Sequence, residues 1–349
     1  MKKKLSVVLA LMLVLALLAA CGDAGVEQTT SVQPSESVST TVSAEESASA
    51  TPQPTDPPSF NADNPLSVAT LAGPTGMGMI QLFDNPAYDV SLYTSPDQIT
   101  AKVISGEVQA AAVPSNVAAV LYNKMGGGLK IAAVTTMGVL YILENGNSVN
   151  SVADLSGKTI YATGQGSTPE YVLQDILEAN GVTDCTVQFM GAHADLANAM
   201  ASGEVSLALL PEPFVSTVLA KNPDVTVKID INAEWQKIYG TDAGMPMGVL
   251  VVSDTLAQDV AGMAQLITDC KASADYVTAD SEAAATEIVA QQIVGSEAIA
   301  LSAIPRCGIS FITGADAKVI LGDYFTLMAE SDPASLGGSI PDDAIYYMP

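Results

Sequence analysis

Two short stretches combine glycines with hydroxyl side chains in a way that can bind a small anion. The first is Gly73-Pro74-Thr75-Gly76, with Met77 directly after it; the second is Gly164-Gln165-Gly166-Ser167-Thr168, followed by Pro169. Each lies between a β-like run (66–71 and 158–163) and an apolar-periodic, helix-like segment (77–83 and 170–179). A helix start presents unpaired backbone N–H groups at the positive end of its dipole. Glycines let a ligand approach that backbone, and Thr75, Ser167 and Thr168 add donors. Such a site holds a carboxylate, sulfonate or phosphate without a basic side chain. The same residues also have a plainer reading, in which the hydroxyls cap helices and the glycines only turn the chain.

A second pair of candidates follows two later apolar strands. Pro114-Ser115-Asn116 and Pro211-Glu212-Pro213 sit at expected strand-to-helix turns, where α/β proteins bind ligands. Ser115 and Asn116 can donate or accept hydrogen bonds. Glu212 is an acceptor for a ligand amine or hydroxyl, or else a helix-start acid with a structural role. Tyr141, Tyr93 and Phe214 can wall a site, although aromatic residues more commonly fill cores.

Other chemistries fit poorly. Gly164-Gln165-Gly166 lacks the third glycine of a dinucleotide fingerprint, and there is no GK[ST] phosphate loop. The single histidine, His193, cannot supply a multi-histidine metal site. Acids outnumber bases 38 to 13 and the formal charge is −25, which disfavours nucleic acid. Paired catalytic carboxylates would need a second acid beside Glu212, and none is evident. Four cysteines show no CxxC spacing, and three remain after Cys21, so at most one disulfide can form; buried free thiols are expected. No cofactor or metal is expected.

The elements that would position these residues are written twice. Ser105-Gly106-Glu107-Val108 recurs as Ser202-Gly203-Glu204-Val205, with Ala111 and Ala208, then Pro114 and Pro211, at matching offsets. Each copy reads as helix end, glycine turn, short strand, and a proline opening the next helix. Glu107 and Glu204 then point to solvent or serve as docking charges for a partner. Alternation of strands and helices implies an α/β fold with mainly parallel sheets. A third echo, Met137-Gly138-Val139-Leu140 and Met247-Gly248-Val249-Leu250, marks where the chain would leave one lobe and return to it. The expected organisation is one lobe from 64–138 and 247–349 and a second from 139–246, joined by two hinge strands. Helices are expected over 256–277, 282–293, 297–304 and 315–329, packed on the first lobe.

The N-terminus reads as an address. Lys2, Lys3 and Lys4 precede an apolar run from Leu5 to Ala20, too short for the ~20 residues of a membrane span. Leu18-Ala19-Ala20-Cys21-Gly22 resembles a bacterial lipobox, which implies a signal peptide over 1–20 and a lipidated Cys21. Residues 22–63, rich in Ser, Thr, Pro, Ala and Glu, read as a disordered tether. An acidic body of this kind gains nothing from anionic lipid, so the acyl chains would anchor it to the extracytoplasmic face of the cell membrane.

With these motifs in order, residues 64–349 resemble type II periplasmic solute-binding proteins of the NitT/TauT (NMT1/THI5-like) branch. The carrying residues are Cys21, Gly73-Pro74-Thr75-Gly76, Gly106-Glu107, Pro114-Ser115-Asn116, Asp154-Leu155-Ser156-Gly157-Lys158, Gly164-Gln165-Gly166-Ser167-Thr168 and Pro211-Glu212-Pro213-Phe214. The resemblance implies a two-lobed fold, a small-molecule ligand held between the lobes, and delivery to an ABC permease with its ATPase. The cysteine-rich signature of the pyrimidine-synthesising relatives is absent. The expected protein is a monomer that performs no covalent chemistry. The alternatives are a dehydratase-like enzyme on the same fold and a ligand receptor that reports to a sensor.

Overall fold

The computed structural model describes residues 57–240 and 244–348. The expected signal segment, Cys21 and most of the expected tether lie outside the described residues. The tether's last part does not: the Ser59 amide donates to Asp259 at 2.7 Å, and Phe60 is buried against Tyr88. The fold therefore takes up the chain a few residues before position 64.

From the N-terminal side, β1 (Leu66–Leu71), α1 (Pro74–Gly78), β2 (Tyr88–Tyr93), α2 (Pro96–Ser105), β3 (Ala110–Pro114), α3 (Ser115–Met125) and β4 (Leu129–Thr136) alternate. The second run is β5 (Leu140–Asn145), β6 (Thr159–Ala162), α4 (Thr168–Ala179), β7 (Thr186–Phe189), α5 (His193–Ser202), β8 (Leu207–Pro211), α6 (Phe214–Lys221), β9 (Val225–Asp230) and α7 (Ile231–Tyr239). The chain then forms β10 (Gly248–Ser253), α8 (Asp254–Ala257), α9 (Val260–Ala279), α10 (Ser281–Ala290), α11 (Glu297–Ala303), β11 (Ile309–Thr313) and α12 (Gly314–Ser331).

These strands make two sheets, ordered β11-β4-β10-β3-β1-β2 and β7-β6-β8-β5-β9. The duplicated sequence reappears as duplicated topology. Reading inward from β2 and from β7, the first three strands are mutually parallel in each sheet (β2-β1-β3 and β7-β6-β8). The fourth position in each is antiparallel: β10 pairs with β3 and β4, and β5 pairs with β8 and β9. Both fourth strands begin within a Met-Gly-Val-Leu echo, β5 at its leucine and β10 at its glycine, and arrive from the other half of the chain. The expected mainly parallel sheets are therefore mixed, because each crossing strand enters its sheet in reverse.

Local chemistry explains the element ends. Gly106 and Gly203 cap α2 and α5 in the left-handed region, at φ 72° and 82°, which glycine adopts at no steric cost. Pro114 and Pro211 end their strands rather than opening the next helices, which begin one residue later at Ser115 and three residues later at Phe214. The helix expected over 77–83 instead begins at Pro74, stops at Gly78 and continues as a 3-10 turn, Ile80–Leu82. Gly76 is required there, since a Cβ on it would lie 2.6 Å from the Leu71 carbonyl oxygen. The single helix expected over 256–277 breaks at Gln258-Asp259, where the Asp259 carboxylate accepts the Gly262 amide and caps α9. β11 was not expected; its partly buried Ile-Ser-Phe-Ile-Thr run follows a helical stretch and pairs along the edge of β4.

No helix among the described residues is long and apolar enough to cross a membrane. Cys185, Cys270 and Cys307 are free thiols, the latter two buried.

Candidate functional site

Four strand-to-helix junctions lie at the carboxyl edges of the parallel strands: after β1 and β3 in the first sheet, after β6 and β8 in the second. The contacts pair them diagonally. The β3 junction meets the β6 junction, because Thr168 donates through its hydroxyl to Asn116 Oδ1 at 3.1 Å. The β1 junction meets the β8 junction, because a side-chain carbon on Gly73 would stand 4.0 Å from Pro213 Cδ. The two glycine loops thus each face the other copy's second turn.

The first contact is a buried polar cluster. Thr168 is 2% exposed and Asn116 4%, and both are bonded further: Tyr324 of α12 donates to Thr168 Oγ1, and Asn116 Nδ2 donates to the Ser335 carbonyl. The Ser335 hydroxyl is buried there without a partner. Ser115 instead holds the returning chain, donating its hydroxyl to the Pro246 carbonyl at 2.7 Å and its amide to Met247.

The second contact carries charge. Glu212 is 1% exposed; its Oε1 accepts from Arg306 Nε at 2.6 Å and from the Ser216 hydroxyl, and its Oε2 accepts the Ser216 amide. Arg306 ends a short 3-10 turn, Ile304–Arg306, after α11, and α11 packs on α6. Its Nη2 also donates to Ser216 and Ser302, and its carbonyl accepts the Tyr141 hydroxyl at 3.1 Å. Burial pushes the Glu212 carboxyl above its usual range, against the opposing pull of Arg306 and Ser216. Burial also raises the Tyr141 phenol, with Asp230 and Glu212 adding to it.

The glycine loops are differently committed. In the second, the Gly166 amide donates to the Glu170 carboxylate at 2.6 Å and the Ser167 hydroxyl to the Gly164 carbonyl; Gln165 and Gly166 face solvent. Only Thr168 reaches across. In the first, Thr75 is nearly buried and makes one long bond, 3.4 Å, to the Leu71 carbonyl. It lies beside Thr136, whose buried hydroxyl has no partner; both would crowd a Cβ on Gly248. Pro74 opens α1. Met77 is fully buried in the apolar core, with its sulfur 3.6 Å from Cys307 Sγ. Phe214 stacks near His193, with ring centroids 5.3 Å apart. Glu107 and Glu204 are exposed, Glu107 paired with Lys102. No group of three or more metal-ligating side chains occurs among the described residues.

Sequence reasoning missed Arg306, Thr136, Ser335 and Tyr324. One signal was available: Arg306 is the chain's only arginine. The other three are placed by pairings across more than a hundred residues.

Two mixed α/β sheets, joined by two chain crossings and meeting through polar strand-to-helix junctions, define the architecture of a periplasmic-type solute-binding protein. Residues 87–292, more than half the chain, match the family described as ABC transporter, phosphonate, periplasmic substrate-binding protein. The chain belongs to that family and is a substrate-binding protein of the ABC-transporter class. No curated protein matches the sequence. Among solved structures, it is similar to an ABC transporter from Parabacteroides distasonis (22% identity, 81% of this chain and 98% of that one, TM-score 0.72). It is also similar to the periplasmic aliphatic sulphonate binding protein SsuA from Escherichia coli (16%, 79% and 92%, 0.61). A third is the alkanesulfonate-binding protein SsuA from Xanthomonas axonopodis, bound to MOPS (15%, 76% and 92%, 0.58). At these identities the structures bear on the fold.

Proposed function

We propose that the protein captures a small organic anion, a phosphonate or sulfonate, between a lobe formed by 64–138 with 247–349 and a lobe formed by 139–246, and hands it to an ABC permease with its ATPase. The observation that carries this reading is the diagonal meeting of the four junctions, Thr168 on Asn116 and Glu212 on Arg306. A solute that touches both lobes favours their closed arrangement by its differential affinity for it. Arg306 is the one cation in these contacts, and Nε and Nη2 account for its bonds, so part of its five-donor fork is available to an anion. The unpartnered Thr136 hydroxyl and the weakly bonded Thr75 hydroxyl are the neutral donors. The family's transport role and the lone acid at the site support binding without covalent chemistry. The NitT/TauT branch, a monomeric state and a lipid anchor on Cys21 complete the reading, the last on the lipobox-like sequence.

Calorimetric titration with methylphosphonate, ethanesulfonate, taurine and nitrate tests it. The expected result is saturable binding of at least one anion, with a stabilisation of about 2.7 kcal/mol at a hundredfold excess over Kd. No binding of any of the four at millimolar concentration by folded protein would overturn it.

A further inference from the structure

The acid at the β8 junction sits where a ligand feels its charge but cannot touch it. The Glu212 side chain is wholly buried and both its oxygens are occupied. Oε1 accepts from Arg306 Nε at 2.6 Å and from the Ser216 hydroxyl at 3.0 Å, and Oε2 accepts the Ser216 amide at 3.1 Å. Arg306 keeps 31% of its side chain exposed, and Nε and Nη2 account for its bonds. A side-chain carbon on Gly73 would stand 4.0 Å from Pro213 Cδ, so the first glycine loop borders the same turn.

The charges here nearly cancel. Arg306 is the chain's only arginine, and every lysine ion pair among the described residues is made outside the four junctions. The Glu212–Arg306 pair carries no net charge, and the Thr75 and Thr136 hydroxyls are neutral donors. Two further acids weigh on the same side. Glu170 accepts the Gly166 amide and Gln174 Nε2 at the second glycine loop; Asp230, whose charge acts on Tyr141, accepts the Ala233 amide. The other titratable groups around Glu212 are neutral at neutral pH. Burial raises the Tyr141 phenol and the Cys307 thiol, and it lowers the His193 imidazole, beside Phe214, to about 4. One anionic charge can be met by the exposed part of the guanidinium. A second finds no cation and stands against Glu212 through a medium that screens poorly.

We propose that Glu212, acting through Arg306, sets the charge selectivity of the cleft, which admits singly charged anions and disfavours doubly charged ones. The inference rests on the anion reading above and narrows its ligand class. Glu212 is a positioning residue: it holds the guanidinium and offsets its charge. A sulfonate stays singly charged, whereas a phosphonate, like a phosphate group, gives up a second proton near neutral pH. Sulfonates and phosphonate monoanions therefore fit, and phosphonate dianions do not.

Methanesulfonate and methylphosphonate share a tetrahedral head and a methyl tail. Calorimetric titration of the folded protein with each, between about pH 6 and about pH 9, isolates the second charge. The ratio of the two affinities cancels any titration of the protein that both ligands share. The expected result is comparable affinity at the acid end and a fall of about tenfold for methylphosphonate relative to methanesulfonate at the alkaline end. In Glu212→Gln the guanidinium charge is no longer offset, so the fall is expected to vanish or reverse. In Glu212→Asp, which keeps the charge, it is expected to persist. A ratio that stays constant with pH in the intact protein, or that shifts toward methylphosphonate as pH rises, would overturn the proposal. So would an unchanged fall in Glu212→Gln, which would place the selectivity elsewhere. Failure of both anions to bind would overturn the anion reading and this inference with it, whereas binding of both with a constant ratio overturns this inference alone.

Discussion

Replacing Arg306 by Met should destabilise the protein in a pH-dependent way that traces to one buried acid. The Glu212 side chain is fully buried, and Arg306 Nε lies 2.6 Å from its Oε1 with 31% of the arginine side chain exposed. Removing one partner of a fully buried pair costs about 3–5 kcal/mol. Water reaches nearly a third of this guanidinium and screens it, so the expected loss at pH 7 is about 2–3 kcal/mol. The two Ser216 donors remain to the carboxylate, which keeps the variant folded. Burial already raises the Glu212 carboxyl in the intact protein, and without the arginine nothing charged opposes that push. The folded state then holds a proton that the unfolded state, with a carboxyl near 4.3, releases. Stability from this group is therefore full below that value and is lost as pH rises through the higher folded value. The cost of Arg306→Met should shrink between pH 7 and pH 5. Urea unfolding of Arg306→Met, Glu212→Gln and the double variant at both pH values gives the cycle, with an expected coupling of about 1–2 kcal/mol at pH 7. A coupling indistinguishable from zero, or a cost that grows on acidification, would refute the reasoning.

Three further outcomes follow from the same geometry. Thr168→Val leaves Asn116 Oδ1 and the Tyr324 hydroxyl without their buried partner; it should cost about 1–3 kcal/mol in urea unfolding and weaken anion binding at least tenfold. Gly248→Ala places a methyl 2.9 Å from Thr75 Cγ2 and 3.1 Å from Thr136, so a loss of about 1–3 kcal/mol and weaker anion binding by calorimetry are expected. Burial lowers the His193 imidazole to about 4, so the folded state binds fewer protons than the unfolded state between that value and 6.5. Stability should fall as pH drops through this window, by about 1–2 kcal/mol for a ring that keeps some solvent contact, and His193→Gln should flatten the slope in urea midpoints measured at pH 4.5 and 7.

Much of the fold was legible because its signals are local. Gly106 and Gly203 announce helix ends, the strand-glycine-helix pattern announces each unit, and the Met-Gly-Val-Leu echoes mark the starts of two strands with the same place in their sheets. The reversed direction of those strands was not legible, because direction depends on the route back into the sheet. β11 was missed because a five-residue run between helices carries little periodicity. At the candidate site, Asn116, Glu212 and Thr168 could be picked out as polar residues at turns. Their partners could not: Glu212 and Arg306 are 94 positions apart, and Asn116 and Thr168 are 52 apart. Such pairings decide that Glu212 is answered by a cation of its own chain and that Thr168 is spent on Asn116.

The exchange of fourth strands has a consequence for assembly. The second sheet uses only residues 140–230, one continuous stretch, whereas the first needs β10 and β11, some 110 and 170 residues beyond its fourth consecutive strand. A chain emerging N-terminus first can complete the later-encoded sheet while the earlier one still waits with β3 and β4 apart. Pairings that distant close slowly. Pulse-labelled amides of β5–β9 should accordingly gain protection ahead of those in β3 and β4, so the half that starts the polypeptide is the half that finishes maturing last.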